Sequence, residues 1–420
     1  MQNIDNSDAN VTPLEQRRNF FGGLWQGAFL ALGISLTQPT TVISAFIADL
    51  TGSTIWVGGL STVLTVAGAL PQLFVARWIE NRPRKMPYLL TAIYLRVGSW
   101  GILAFLIYSI GDKHPMMLAW ALVVMLAIFY AGGGLGNTPY ADIIGKVIPA
   151  ERRGAFFGGK EALAGPLAVG AALGARQILA HVKYPNNYAL LFGLAALGLG
   201  IASLGFLIMR EPVTLLEEIP GRSWGNYWQQ IKETSKKLKV LIIIEIFTGF
   251  SLMALPFYVV FAREKLGAPP DAIGWFLLAQ ILGGVLANLL WAHLVDRAGS
   301  RKMLVVCGTM STITPILAIF LAPLGWSALL VVFFLAGATF TGRQVGFQSA
   351  LLELAPAAER PTYAGLNAVL ILPLALLTLI AGVFLQYGSY TILFILASAF
   401  IAVGTIVAYR WASSNHLKGE

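Results

Sequence analysis

Residues 292–303 read AHLVDRAGSRKM, and residues 76–86 read ARWIENRPRKM. Each stretch closes an apolar run with an acidic residue, Asp296 or Glu80, then gives turn residues, then a basic pair. The chain therefore carries one small polar device twice, once in each half. The surroundings make the device informative. Hydrophobic residues are 57% of the 420 and charged residues only 12%, about half the charge of an ordinary soluble domain. Apolar runs recur along the chain, each long enough to cross roughly 30 Å of hydrocarbon as a helix. This pattern predicts a polytopic helical membrane protein. It excludes a membrane β-barrel, whose strands alternate polar and apolar over about ten residues.

Twelve spans are predicted, at 20–46, 53–78, 88–110, 116–139, 157–181 and 188–210, then 240–262, 271–295, 303–322, 327–350, 366–386 and 390–411. The domain reading is a tail over 1–19, a six-helix bundle over 20–210, a connector over 211–239, a second bundle over 240–411 and a tail over 412–420. Lys and Arg in short loops set orientation. With the N-terminus in the cytoplasm, 23 of the 29 basic residues fall on the inner side. Lys113, Lys183, Arg263 and Lys265 fall outside, and Arg96 and Arg176 inside spans. Both termini are therefore predicted cytoplasmic. In the connector, Trp224, Tyr227, Trp228, Ile231 and Leu238 lie largely opposite Lys232, Lys236 and Lys237. That suits an amphipathic helix on the inner leaflet, or equally a solvated basic linker.

The net charge of +9 does not point to nucleic acid, because the charges border apolar runs and form no recognition module. The single cysteine, Cys307, excludes an intramolecular disulfide and a cysteine-rich metal site. The histidines are scattered, so no ligand cluster is visible. No removable leader is read in the polar N-terminus, and the first span is expected to be retained.

The paired loops resemble the major facilitator superfamily, whose motif in this place runs Gly-x-x-x-Asp-Arg-x-Gly-Arg-Arg. The second copy, with Ala292, Asp296, Arg297, Gly299, Arg301 and Lys302, is the closer one, with Ser300 as an extra turn residue. The first, with Ala76, Glu80, Asn81, Pro83, Arg84 and Lys85, is degenerate. IPAERRGAFFGG after the fourth span is echoed by APAAERPTYAGL after the tenth, with Glu151-Arg152 and Glu359-Arg360 in equivalent loops. The resemblance covers about residues 18–412. It implies an all-α fold of two pseudo-symmetric six-helix bundles that rock about a central cavity. It also implies a cytoplasmic latch built from Glu80, Arg84, Asp296, Arg297 and Arg301; a plain topological anchor is the alternative.

Polar groups inside spans are costly and are functional candidates by default. The resemblance places the first, fourth, seventh and tenth helices on the cavity. The substrate-binding candidates are therefore Gln26, Thr37, Gln38, Tyr130, Asn137, Tyr140, Thr248, Thr341, Arg343, Gln344 and Gln348. Glu245 and Arg343 fall at similar depths, and are expected to approach each other; with Glu161 they are the coupling candidates. A static ion pair is the competing reading. Gly165, Pro166 and Gly170 partly match an antiporter motif from which Glu161 and Val169 depart, and helix packing accounts for them better. GAFFGGKE at 154–161 fits a phosphate-loop spacing, but Glu161 replaces the Ser or Thr needed for Mg²⁺ and no strand precedes it.

The resemblance implies a secondary active transporter of a cell inner membrane. It would move a small organic solute by alternating access, with protons as a possible coupling ion. A drug or metabolite efflux antiporter is the first alternative, and a non-transporting receptor or assembly partner the second. No cofactor, metal or nucleic-acid partner is expected, nor catalysis; the lipid bilayer and a small solute are the expected partners, and a monomer the expected state.

Overall fold

The computed structural model describes residues 12–79, 82–111, 113–149, 152–212, 237–356 and 360–414, with side chains for all but 13, 73–79, 360–362 and 364–365. Among these the fold is all-helical, with no β-strand. The first stretch of helices comprises α1 (Pro13–Leu36), α2 (Ser44–Thr51), α3 (Thr54–Ile79), α4 (Met86–Ile110), α5 (Pro115–Val147), α6 (Arg153–His181) and α7 (Asn186–Ile208). After the connector come α8 (residues 237–248), α9 (Phe250–Ala254), α10 (Phe257–Leu266), α11 (Ala272–Leu321), α12 (Leu330–Leu354), α13 (Arg360–Ile371), α14 (Leu376–Tyr387) and α15 (Tyr390–Ser413). The amphipathic reading of the connector rests almost wholly on residues 224–236, which lie outside the described residues, as do Glu80, Glu151 and Glu359.

Local chemistry explains the element ends. A capping box opens α1: the Thr12 hydroxyl accepts from the Glu15 amide at 3.3 Å, and the Glu15 carboxylate accepts from the Thr12 amide at 3.1 Å. Pro39 lacks an amide hydrogen, so α1 stops at Leu36 and the chain makes a π-turn over Pro39–Ile43 before α2. The seventh apolar run divides into α8, α9 and α10 near Gly249 and Pro256. The eleventh divides into α13 and α14 around Pro373.

Among the described residues, eleven helical stretches are long and apolar enough to cross a membrane. One of them, Ala272–Leu324, has 53 residues, more than twice the roughly 20 a crossing needs. The sequence predicted a sharp turn at 296–302 inside it. The structure places the change of direction at Gly299, with helix running up to it and away from it; Gly299 alone is non-helical, at φ 80° and ψ 163°. A side chain at that φ is strained, so glycine concentrates the change of direction in one residue. Ser300, expected in the turn, is fully buried at the start of the next helix. Its amide and hydroxyl both donate to the Glu353 carboxylate, at 3.2 and 2.7 Å.

The chain divides into two compact units. The first comprises residues 1–38 and 63–219, and the second 39–62 and 220–420; the stretch 39–62 therefore packs with the second. In the first unit Leu89, Ile143, Ile144, Val147, Phe156 and Phe206 form an apolar core, with Phe20 and Tyr140 against it. In the second, Leu241, Ile244, Leu304, Phe347 and Tyr363 form one cluster, and Trp291, Met303 and Cys307 another. Large apolar side chains such as Phe105, Trp120, Leu289 and Phe320 are exposed. A water-soluble protein does not expose so many; in a bilayer they face lipid.

Candidate functional site

In the second unit, three helices bring polar groups together among apolar neighbours. Glu245 lies eight residues into α8, Asn367 seven into α13, and Arg343 eleven from the end of α12. These offsets are ~10–17 Å of helix. Glu245, Thr248 and Arg343 are each more than nine-tenths buried. The expected approach of Glu245 and Arg343 takes place, but not as a carboxylate–guanidinium bridge. The Arg343 guanidinium donates to the Thr248 hydroxyl and, at 3.3 Å, to the Glu245 backbone carbonyl. The Glu245 carboxylate instead accepts from the Asn367 amide at 3.0 Å. The guanidinium also lies 5.0 Å from the Phe347 ring centroid. Hydrogen bonds to a charged group are worth about 1.5–3 kcal/mol each, so this set is held firmly while leaving the carboxylate and guanidinium free of a direct bond. Thr248 donates in turn to the Ile244 carbonyl at 2.7 Å, which leaves its lone pairs for Arg343.

Asn367 escaped the sequence reading because the substrate-binding candidates were drawn only from the first, fourth, seventh and tenth spans. The signal was present: a lone carboxamide in the apolar run LNAVLILPL at 366–374. The same restriction missed Gln280, whose carboxamide exchanges hydrogen bonds with the Thr40 hydroxyl at 2.8 and 3.2 Å. It also missed the Thr62–Thr378 hydroxyl contact at 3.0 Å. Arg263, read as an outer loop charge, bonds Asp49 at 2.9 Å within the second unit.

The other candidates fall as follows. Thr341 is half-buried and bonds the Gly337 and Ala338 carbonyls of its own helix. Gln344 and Gln348 are exposed on α12, and Glu161 is exposed on α6. In the first unit Gln26 is buried with its side-chain carbonyl oxygen unpartnered. Thr37 is buried and donates to the Gly33 carbonyl at 3.3 Å, and Gln38 is half-buried. Tyr130, Asn137 and Tyr140 lie on α5, Asn137 being exposed. Tyr140 accepts from the Lys160 ammonium at 3.1 Å.

The repeated loop device is tied down differently in each unit. In the first, the Glu211 carboxylate caps α4, accepting from the Lys85 and Met86 amides at 2.8 and 2.7 Å. Lys85 pairs with Asp142 at 3.1 Å, and Lys146 pairs with Asp142 at 2.6 Å and Glu211 at 3.5 Å. In the second, Glu353 caps the helix after Gly299, and the Arg301 guanidinium lies 4.4 Å from the Trp411 ring centroid. Arg84, Asp296 and Arg297 are exposed. Asp296 makes no ion pair with a described residue. One member of each basic pair, Lys85 or Arg301, thus ties down the third helix of its half, while the acidic member of the second copy is exposed.

Long apolar helices around a buried, hydrogen-bonded set of charged groups are those of a multi-pass membrane protein. Residues 240–419 match the family model described as Major Facilitator Superfamily. Two solved structures align with nearly the whole chain. A bacterial homologue of the iron transporter ferroportin in an inward-facing state has TM-score 0.67 at 13% identity, covering 96% of this chain and 100% of that one. The nucleoside transporter NupG has TM-score 0.70 at 12% identity, covering 92% and 98%. Among curated relatives, an uncharacterized protein of Mycobacterium tuberculosis H37Rv is 26% identical over 305 residues, 70% of this chain and 57% of that protein. Multidrug resistance protein 2 of Bacillus subtilis strain 168 is 23% identical over 309 residues, covering 70% and 71%. The chain thus aligns with little more than half the length of the mycobacterial relative. The second half of the chain is thus similar to the Major Facilitator Superfamily model, and its fold is similar to these solved structures over nearly its whole length.

Proposed function

We propose that the chain is a secondary active transporter of a bacterial inner membrane that moves a small organic solute by alternating access. The observation that carries this is the Glu245–Thr248–Arg343–Asn367 set. Intramembrane charges are expensive and persist where they serve a pathway or a coupled equilibrium. In this reading the carboxylate and the guanidinium, held near each other without a bridge, are the coupling element. A proton or the solute at Glu245 weakens its hold on Asn367 and biases one access state over the other. The spans number twelve, with Gly299 as the division inside the 53-residue stretch, and both termini lie in the cytoplasm, as the basic residues favour. The bundles are residues 20–210 and 240–411, and Glu80, Arg84, Asp296, Arg297 and Arg301 serve a cytoplasmic latch. Bacterial relatives support the membrane named.

Export is the second reading, and the printed name of the Bacillus subtilis relative favours it. Proteoliposomes holding a pH gradient separate the cases. Solute flux that follows the proton gradient in the wild type and becomes insensitive to it in Glu245→Gln supports the coupling role. Equal gradient dependence in both proteins refutes it, and the sign of the flux tells import from export.

A further inference from the structure

In the first unit two cations lie on aromatic faces and make no ion pair with a described residue. Arg96 lies ten residues into α4, ~15 Å along the helix and so near mid-bilayer. Its guanidinium carbon sits 4.4 Å from the Phe129 ring centroid, and Trp100 stacks with that ring at 3.8 Å between centroids. The Arg96 Nε is buried without a hydrogen-bond partner. The glycine run of α5 makes the room: a Cβ on Gly132 would lie 2.9 Å from the Arg96 Cγ, and one on Gly133 would lie 3.8 Å from its Cζ. Lys160 on α6 reaches Tyr140, with its ammonium 5.1 Å from the ring centroid and 3.1 Å from the hydroxyl.

These two cations border one face of α5. Tyr130, Gly133, Asn137 and Tyr140 follow at intervals of three, four and three residues, which places them in one stripe. Arg96 lies over the Gly133 position and Lys160 over Tyr140, seven residues or ~10 Å further along the axis. The exposed carboxamide of Asn137 stands between them. Among the described residues no carboxylate pairs with either charge, and Glu161, next to Lys160 in the chain, is exposed. Asp142 and Glu211 are engaged by Lys85 and Lys146, and Glu15 by Arg210. Neither Arg96 nor Lys160 makes an ion pair with a described residue. Cation–π contact returns less than the desolvation of a buried charge costs, so each cation would gain from an anionic partner.

We propose that the Tyr130–Gly133–Asn137–Tyr140 face of α5, with Arg96 at one end and Lys160 at the other, is a binding site for an organic anion. The ligand carries carboxylate or phosphate groups at its ends and an apolar body between them. The aromatic rings meet the body, Asn137 and the tyrosine hydroxyls bond its polar atoms, and the cations take its charges. This names the substrate class of the transport reading above and rests on it.

The test uses full-length protein in nanodiscs and calorimetric titration with decanedioate, decanoate and the neutral decanediol. Decanedioate binds tightest, decanoate more weakly and decanediol not measurably, and added salt weakens the first two. Arg96→Gln and Lys160→Gln each weaken decanedioate about tenfold or more, while Lys160→Arg retains most of the affinity. Circular dichroism melts of each variant check that the fold is kept. Anion binding no tighter than decanediol binding, or unchanged affinity in both folded Gln variants, overturns the proposal. Flux in proteoliposomes separates the two readings. Selective anion binding without flux upholds this site and sinks transport; solute flux without selective anion binding upholds transport and sinks this site.

Discussion

Replacing Arg343 with Met removes one charge from a set that has no spare partner. The backbone loses little: Thr248 still donates to the Ile244 carbonyl, and the Glu245 carbonyl still accepts from the Gly249 amide at 2.9 Å. What remains is the Glu245 carboxylate, buried and bonded only to Asn367. Breaking one side of a buried charge arrangement costs about 3–5 kcal/mol. Glu245→Gln alone leaves the guanidinium with its Thr248 and carbonyl bonds and costs less, about 1–3 kcal/mol. The double variant carries no charge at the site, so its cost falls below the sum by about 2 kcal/mol or more, in line with neighbouring groups that share partners. The assay is equilibrium unfolding of purified protein in mixed micelles, read by tryptophan fluorescence across the four members of the cycle. Additivity within about 0.5 kcal/mol would show that the two charges do not sense each other, and the coupling argument would fall with it.

Glu211→Gln weakens the cap on the Lys85 and Met86 amides and the pairing to Lys146, and lowers stability by about 1–3 kcal/mol in the same unfolding assay. Gly299→Ala places a Cβ at a φ of 80° and costs about 1–2 kcal/mol, whereas Gly98→Ala, with open space around it, leaves the melting temperature within a degree or two. Asn367→Leu removes the carboxylate's hydrogen bond at 3.0 Å; it destabilises the wild type by about 2 kcal/mol but the Glu245→Gln background by less than half of that. Cys307 is buried and resists a membrane-impermeant maleimide in intact cells, so single cysteines placed at Arg84 and Lys183 report sidedness: labelling from outside at 183 and not at 84 fits the inward placement of the basic pairs.

Much of the fold was legible because lipid imposes a simple code. Apolar runs had to be helices, since no water satisfies an open backbone there. Pro39 announced the break after Leu36, because a missing amide hydrogen is visible in the sequence. The turn at 296–302 was legible in its residues but its extent was not: Asp296, Arg297 and Ser300 look like turn residues, while Gly299 alone leaves helical geometry. At the site, Glu245 and Arg343 were found by the cost of burying charge, and their depths by counting residues. Their mode of contact was not readable: whether a guanidinium meets a carboxylate or the carbonyl behind it depends on helix rotation, which residue counting does not give. Asn367 and Gln280 were overlooked because a carboxamide carries no charge to flag it and the substrate-binding candidates were drawn from other helices. Lys160 was seen, but the aromatic face that holds it lies on another helix, and only packing brings the two together.

Transmembrane flux is the most direct test of the account. Purified wild-type protein and the Arg343→Met variant are reconstituted into liposomes preloaded with unlabelled organic solutes, and labelled solute is added outside. The account predicts saturable counterflow for the wild type with a particular solute, and loss of that counterflow in the variant although it remains folded. Saturable binding by the wild type with no counterflow, under any imposed gradient, would contradict it.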